Sequence, residues 1–175
     1  TSVMPWRDGV LVTAAPDILY AVDSDGDGRA DKIEVLFSGF IEGNQQLRVD
    51  SLRLGLDGWV YAASGGHHAG FGVQTQITST KTGAKIALGS RDFRFHPDSG
   101  KLEPQSGPSQ FGRVRDDWGN WFGVQNSFPL WHYVLADAYL QRNPYFPAPD
   151  PRNQLRGQAP SVFPNKPPQK RFHGF

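Results

Sequence analysis

The stretch YAVDSDGDGRADKIEVL, residues 20–36, places acidic side chains at alternate positions of a glycine-containing turn. It fits the EF-hand expression D-x-[DN]-x-[DN]-G-x5-E at every fixed position. The matching residues are Asp23, Asp25, Asp27, Gly28, Asp31 and Glu34. Ca²⁺ takes about six to eight oxygen ligands, and alternating carboxylates can converge on one ion where a glycine permits the sharp turn. The spacing therefore predicts a calcium site.

Most of the coordination sphere would come from the first half of this loop. The expected ligands are the side chains of Asp23, Asp25, Asp27 and Asp31 and the carbonyl of Arg29. Glu34 takes the bidentate position of an EF-hand, but on a strand its side chain can point away. The alternative is a solvated acidic turn, because Asp and Gly are common turn formers.

The flanks of the loop do not read as EF-hand helices. Upstream, Pro16 precedes the short apolar run DILYAV, and downstream IEVLFSGF is β-branched and aromatic and ends at Gly39. Neither flank has a 3.6-residue period, and both are rich in strand formers. We therefore expect the loop to join the third and fourth strands of an antiparallel unit, where a calcium ion would be structural.

Further hairpin signals recur along the chain. Asp-Gly or Gly-Asn pairs lie between apolar arms at Asp8-Gly9, Asp57-Gly58 and Gly119-Asn120, and RDFRFHPDSGKLEPQS turns between Pro97 and Gly100. The composition, with 20 Gly, 14 Pro and 12 Phe, suits many short strands joined by tight turns. Two hairpins per roughly 50 to 60 residues is close to the period of a β-propeller blade. The sequence predicts an all-β fold of the β-propeller class.

We predict about three four-stranded blades, at residues 3–40, 46–107 and 111–140, within a propeller unit of residues 1–142. The stretch WHYVLADAY fits a strand or a short helix. Residues 143–175 hold eight prolines and are expected to form an extended segment or inter-blade linker without regular structure. Three blades cannot close a ring, so we expect a fragment of a larger, six-bladed propeller. An irregular β-sandwich is the alternative.

The overall composition excludes several classes of function. A net charge of +1 and the lack of a basic run give no reason to expect a nucleic-acid partner. The absence of cysteine excludes disulfides and thiolate chemistry, and no apolar stretch reaches the roughly 18 residues of a membrane span. The sequence starts without Met and directly on strand-like residues, which also favours a fragment.

The hairpins themselves carry a family resemblance. The stretches APDILYAVDSDGDGRADKIEVLFSGF, GNQQLRVDSLRLGLDGWVYAASG, RDFRFHPDSGKLEPQSGPSQFGRVRDDWGNWFGVQNS and YLQRNPYF resemble the bacterial β-propeller family of membrane-bound dehydrogenases, typical of planctomycetes. That family is similar to soluble quinoprotein sugar dehydrogenases of the glucose and sorbosone type. The family usually has His and Asn where this chain has Leu47 and Asp50.

The resemblance implies an exported, periplasmic or extracellular sugar or alcohol dehydrogenase that uses pyrroloquinoline quinone. It also implies a c-type haem domain elsewhere in the parent chain, since no C-x-x-C-H occurs here. The alternative function is a non-catalytic propeller, stabilised by calcium, that binds carbohydrate or a protein partner. A calcium ion found only at the rim favours this alternative, because the quinone needs Ca²⁺ beside it.

Candidate catalytic residues come from the long connection SGGHHAGFGVQTQITSTKTGAK and the blade entry before it. His67 or His68 could act as general base on a substrate hydroxyl, with Arg48 beside it. The predicted cofactor-binding residues at the same face are Arg113, Asn126 and Ser127. The alternatives are solvated imidazoles in a Gly-rich loop, and polar groups that cap a neighbouring blade.

Other aromatic and imidazole side chains are interpreted as packing residues. His96 and His132 are expected to be satisfied within the fold, and Trp59, Trp118 and Trp121 to pack between blades.

Overall fold

The structure is a computed structural model that describes residues 1–66, 74–125, 128–143, 145 and 147–155. Its regular structure is almost entirely strand, with one four-residue α-helix and one 3₁₀ turn, Gln45–Leu47. In chain order the elements are β1 (Val3–Trp6), β2 (Gly9–Ala14), β3 (Asp17–Val22), β4 (Lys32–Ser38), β5 (Asp50–Leu54), β6 (Val60–Ala63), β7 (Gln76–Ser79), β8 (Lys85–Ala87), β9 (Asp92–His96), β10 (Lys101–Gln105), β11 (Arg113–Arg115), β12 (Trp121–Gln125), β13 (Phe128–Tyr133), α1 (Asp137–Leu140) and β14 (Arg152–Gln154). The prediction of an all-β chain is confirmed.

The strands form three antiparallel sheets. The first sheet has the order β1-β2-β3-β4-β7-β8, the second β5-β6-β9-β10, and the third β11-β12-β13-β14. Without β7 and β8, each sheet is a four-stranded unit in which every strand pairs with the next one along the unit.

The predicted turns lie where the sequence placed them. The aspartate-rich loop joins β3 to β4, and the Asp57-Gly58 and Gly119-Asn120 pairs join β5 to β6 and β11 to β12. Gly58 and Gly119 have φ of 78° and 88°, a region that glycine adopts without the Cβ clash of other residues. The EF-hand alternative is excluded, because β3 and β4 pair from Asp17↔Ser38 to Val22↔Lys32.

The long connection after β6 is not a plain loop. It contains the hairpin β7–β8, which leaves the second sheet and pairs with the first, with Phe37 opposite Ser79 and Ser38 opposite Thr78. The sequence signal was present in ITSTKTGAKI, where β-branched residues flank Gly83 at φ 70°. The first sheet therefore contains two strands, β7 and β8, from the chain segment that connects β6 and β9 of the second sheet.

The third sheet also extends beyond its predicted bounds. The stretch WHYVLADAY, predicted as a strand or a short helix, contains both: its first residues end β13 and its last residues begin α1. The strand β14 lies in the proline-rich segment, where no regular structure was predicted, and it pairs at the sheet edge with Trp131 opposite Gln154. Pro151 precedes this strand, a position that proline tolerates because it needs no ladder N–H there.

The main apolar core lies between the first and second sheets. Phe37 of β4 meets Phe95 of β9 edge to face at 5.2 Å between ring centroids, and Phe40 meets Phe93 at 5.1 Å. Phe37, Phe93 and Phe95 are fully buried. Aromatic pairs at such distances contribute beyond their buried area.

The first strands of the three sheets are neighbours. Ser2, just before β1, accepts a hydrogen bond on its Oγ from the backbone N–H of Leu52 in β5, at 3.1 Å. The Ser51 Oγ of β5 donates to the carbonyl of Arg113 in β11, also at 3.1 Å. The three sheets are therefore joined in sequence through β1, β5 and β11. Among the described residues, no helix is long and apolar enough to cross a membrane.

Candidate functional site

Three carboxylates converge in the loop between β3 and β4. Oxygen atoms of Asp23, Asp25 and Asp27 lie within 4.8 Å of one another. Both oxygens of Asp23 accept backbone N–H groups, from Gly26 at 2.7 Å and Gly28 at 2.9 Å. These contacts wrap the loop around Asp23, while Asp25 and Asp27 remain exposed to solvent.

Hydrogen bonds favour the charged form of two carboxylates in this loop, Asp23 and Asp31. The hydrogen bonds from Gly28 and Gly26 lower the pKa of Asp23 below its ordinary value. Hydrogen bonds from the Ser24 hydroxyl and N–H lower the pKa of Asp31 in the same way. Ionised oxygen donors gathered this closely fit a hard divalent cation such as Ca²⁺.

The remaining predicted ligands are not part of this carboxylate group. The Arg29 N–H donates to Asp27 Oδ1 at 2.8 Å, and Asp31 Oδ2 accepts from Ser24 N at 2.7 Å. Glu34 lies on β4 opposite Tyr20 and lines a different hollow with Trp6 and Lys81. The structure thus brings together three of the predicted ligand side chains.

Arg48 lies at the other end of the sheets, two residues before the start of β5. Its Nε donates to the carbonyl of Glu42 at 2.8 Å, and it forms no ion pair within the described part of the chain. Gly65 packs against this segment so closely that a Cβ there would lie 2.4 Å from the Leu47 carbonyl. The start of the connection after β6 therefore rests on the backbone beside Arg48.

His67, His68, Asn126 and Ser127 lie outside the described residues, so their predicted roles stay predictions.

Arg113 is at the start of β11, as expected, but it is sealed between sheets. Its side chain is 2% exposed, and its Nη1 lies 3.3 Å from Asp92 Oδ2 of β9. The guanidinium also lies over the rings of Trp121 at 4.8 Å and Tyr133 at 5.0 Å. These contacts match the alternative interpretation, a polar group bound to the neighbouring unit.

Asp92 is the buried centre of this polar junction, and the sequence analysis missed it. Its Oδ1 accepts the backbone N–H groups of Ser64 at 3.1 Å and Ser109 at 2.9 Å, and its Oδ2 accepts the Ser109 hydroxyl at 2.6 Å. Burial raises the pKa of Asp92, while Arg113 and the Ser109 and Ser64 donors lower it. No local pattern marks Asp92, because its partners lie 17 to 28 residues away in sequence.

Asp50 is a half-buried carboxylate that carried no assigned role. It starts β5, and its Oδ1 is buried with no hydrogen-bond partner among the described residues. Burial raises the pKa of Asp50 to about 7, and the charge of Asp92 acts in the same direction. The next residue, Ser51, has φ 60°, a left-handed conformation that is uncommon for serine. A carboxyl poised near neutral pH beside strained backbone is a common feature of functional sites.

The predictions for the packing residues have different outcomes. Trp121 stacks on Tyr61 of the second sheet at 4.1 Å, as expected for a residue between units, whereas Trp118 is 83% exposed, so its prediction was wrong. Trp59 contacts His96 of its own sheet, and His96 Nδ1 is buried without a partner. His132 stacks on Phe122 at 5.0 Å, but its ring forms no hydrogen bond within the described residues.

The comparisons with known proteins give one match. Residues 1–175 match the family described as Domain of unknown function (DUF7133), and the chain belongs to this family. No curated protein and no solved structure matches the chain.

Proposed function

We propose that the three units are consecutive blades of a β-propeller. Two observations support this: each unit is a four-stranded antiparallel meander once β7 and β8 are set aside, and their first strands are joined in chain order. The first strands also leave Val3, Leu54 and Val114 between 48% and 60% exposed. Further blades that close the ring would cover such apolar positions around a central channel.

The function that the geometry supports best is a non-catalytic, calcium-stabilised propeller scaffold that binds carbohydrate or a protein partner. The observation that carries this choice is the position of the carboxylate group. Asp23 follows the end of β3, six residues from Asp17 and hence roughly 20 Å from the sheet end near which Arg48 lies. An ion held there would stiffen the hairpin but would not contact a cofactor beside Arg48.

The proposed calcium site has a direct test. Titration of the chain with Ca²⁺ by calorimetry is expected to give one equivalent that Asp25→Ala abolishes. Asp117→Ala is the matched control, because this aspartate is equally exposed but lies in the turn after β11. At a hundredfold excess over its dissociation constant, the ion would stabilise the fold by about 2.7 kcal/mol. No binding, or equal loss in both variants, would reject the site.

The second candidate is a quinoprotein-like sugar or alcohol dehydrogenase. It is favoured by Arg48, which forms no ion pair among the described residues, and by Asp50, whose Oδ1 has no hydrogen-bond partner among them; both lie near the start of the connection that carries His67 and His68. Arg48 would bind cofactor carboxylates, and Asp50 or a histidine would accept a proton from the substrate hydroxyl. Pyrroloquinoline quinone, when bound with its own Ca²⁺, would supply the two-electron acceptor.

The same calorimetry separates the two candidates when it is repeated with pyrroloquinoline quinone. A second calcium equivalent that appears only with the quinone, and that persists in Asp25→Ala, would favour the dehydrogenase. A single equivalent unaffected by the quinone would favour the scaffold. For either candidate we also propose a periplasmic or extracellular location, since weak calcium sites are filled at the higher calcium levels found outside cells.

A further inference from the structure

The first sheet has an apolar face that points away from the second sheet. Its opposite face carries Leu11, Ile18 and Phe37 and packs in the core against the second sheet. Residues directly opposite one another in antiparallel strands share a face, so the strand register identifies the outward face. This leading face is formed by Val3, Pro5, Val10, Val12, Leu19, Ala21, Ile33 and Val35. All eight side chains are apolar, and none of them is buried.

The third sheet has an outward face at the other end of the stack. Trp121 stacks on Tyr61 of the second sheet, so side chains one position along the strand point the other way. The register gives this trailing face as Val114, Phe122, Leu130 and His132. Two of the four are exposed, and the half-buried rings of Phe122 and His132 stack on one another. The leading and trailing faces are thus both largely apolar.

The two outward faces are of complementary type. Each junction within the chain joins the face of one sheet that points along the stack to the opposite face of the next sheet. Within the described residues, the stack therefore begins with an uncovered leading face and ends with an uncovered trailing face. A second copy of the chain presents both, so the same kind of junction can form twice between two copies. Such head-to-tail contacts either close a ring or grow into a filament.

The number of sheets and the available area both fit two copies. Propellers have about four to eight blades, so the three sheets of one chain are too few, and those of three chains would exceed the range. Each outward face spans four strands about 4.8 Å apart and about five residues of about 3.3 Å, or roughly 300 Å². The four faces that meet in a closed pair therefore cover roughly 1,200 Å², the lower limit for a stable protein interface.

We propose that two copies of this chain associate head to tail, leading face on trailing face, in a closed ring of six sheets, three from each copy. Burial of the apolar side chains on both faces drives the association. The inference rests on the proposed propeller arrangement of the units and adds the partner that completes it. It requires neither the calcium ion nor a quinone.

The test is the mass of the full chain in solution by sedimentation equilibrium. It is expected to be twice the 19.4 kDa of one copy, with a dissociation constant of about 1 µM or tighter. A chain that remains a single copy at about 100 µM would overturn the inference and leave the faces to further blades or to another partner. A mass that keeps rising with concentration would also overturn it, because the contacts then form a filament.

Charged variants test whether these two faces form the contact. Val3→Glu changes the leading face and Val114→Lys the trailing face, both on first strands, which are neighbours at the junctions within the chain. Both side chains are exposed in the single chain, so neither change should unfold it. Each variant alone is expected to associate at least about tenfold more weakly, because it buries an unpaired charge at both junctions of the ring. Leu56→Glu is the matched control: it is similarly exposed but lies in the turn between β5 and β6, and its mass should not change.

A mixture of the two variants tests the head-to-tail arrangement. In a mixed pair, one junction brings the introduced carboxylate near the introduced ammonium, and the other junction is unchanged. The mixture should therefore recover the dimer that neither variant forms alone at the same concentration. Dimerisation of Val114→Lys alone, as expected for two leading faces in contact, or a mixture no more associated than its components, would overturn the proposed interface. The calcium titration, repeated on Val3→Glu, reports on the scaffold function separately.

Discussion

The two junctions between neighbouring sheets are built from different chemistry. The first and second sheets meet through buried phenylalanines, Phe37 on Phe95 and Phe40 on Phe93. The second and third sheets meet through the buried pair Asp92 and Arg113, with aromatic rings around the guanidinium. The apolar junction tolerates small displacements, since dispersion contacts are non-directional. The polar junction fixes one geometry, because each donor must find its acceptor.

This difference explains why a cavity of about 280 Å³ lies between the second and third sheets. Directional hydrogen bonds hold the second and third sheets together at Asp92 and Ser109, and the rest of that junction leaves a space lined by Tyr61, Trp121 and Tyr133. At the junction between the first and second sheets, the phenylalanine rings pack directly against one another instead. A binding site is thus more easily built at the polar junction.

The largest expected effect comes from truncation in the apolar junction. Phe93→Ala removes a fully buried ring that touches both Phe40 and Phe95, and it should lower the free energy of unfolding by about 4 kcal/mol. Urea unfolding followed by tryptophan fluorescence measures this loss. A loss below about 1 kcal/mol would show that the two sheets are not held by this contact.

Breaking the polar junction should cost slightly less. Arg113→Met leaves Asp92 buried without its cation and is expected to destabilise the chain by about 3 kcal/mol, at the low end for buried pairs because Asp92 keeps its serine donors. The double variant Asp92→Asn with Arg113→Met should recover part of that loss, since no unpaired charge remains and the amide oxygen can still accept the N–H groups of Ser64 and Ser109. If the loss of unfolding free energy in the double variant equals the sum of the losses in the two single variants, Asp92 and Arg113 do not stabilise the fold as a pair.

The exposed ion pair between Glu103 and Arg94, both in the second sheet, provides the control for that cycle. Glu103→Gln weakens the contact with Arg94, whose partner carboxylate is 48% exposed. The expected loss is under about 1 kcal/mol.

Asp50→Asn should change the pH dependence of stability. Burial raises the folded-state pKa of Asp50 to about 7 from 3.8. The unfolded chain therefore ionises first, and the native chain loses stability as pH rises from about 4 to 7. Asn cannot ionise, so the stability of the variant relative to wild type should rise by about 2 kcal/mol from pH 4 to pH 8, a value reduced for the partial exposure of the Asp50 carboxyl. Parallel pH profiles from urea unfolding of the two proteins would contradict this.

The smallest effect is expected at Trp118. This side chain is 83% exposed in the turn after β11, so Trp118→Ser should change the free energy of unfolding by less than about 0.5 kcal/mol. Trp121→Ser is the contrasting variant, because Trp121 stacks between sheets and should cost several times more. Equal losses would show that Trp118 is covered by another part of the protein in solution.

Local sequence signals predicted the hairpins and failed for partners that are distant in sequence. Asp57-Gly58 and Gly119-Asn120 specify their turns within a few residues, so the strands they join could be predicted. The alternating aspartates likewise predicted the carboxylate group, because its geometry is local. Arg113 was singled out correctly as a residue at a strand entry, but its partner Asp92 could not be deduced, since that contact depends on how two sheets meet.

The β7–β8 hairpin makes the first sheet depend on chain that is synthesised after β6. Because β7 pairs with β4 across the 37 intervening residues 39–75, the first sheet is still incomplete when its own four strands have emerged. The first two units are therefore interlocked. After a cut between them at residues 41–46, they could separate only if the β7–β8 hairpin left the first sheet, where β7 pairs with β4. Under mechanical load applied through the chain ends, the two units should therefore yield together rather than one after the other.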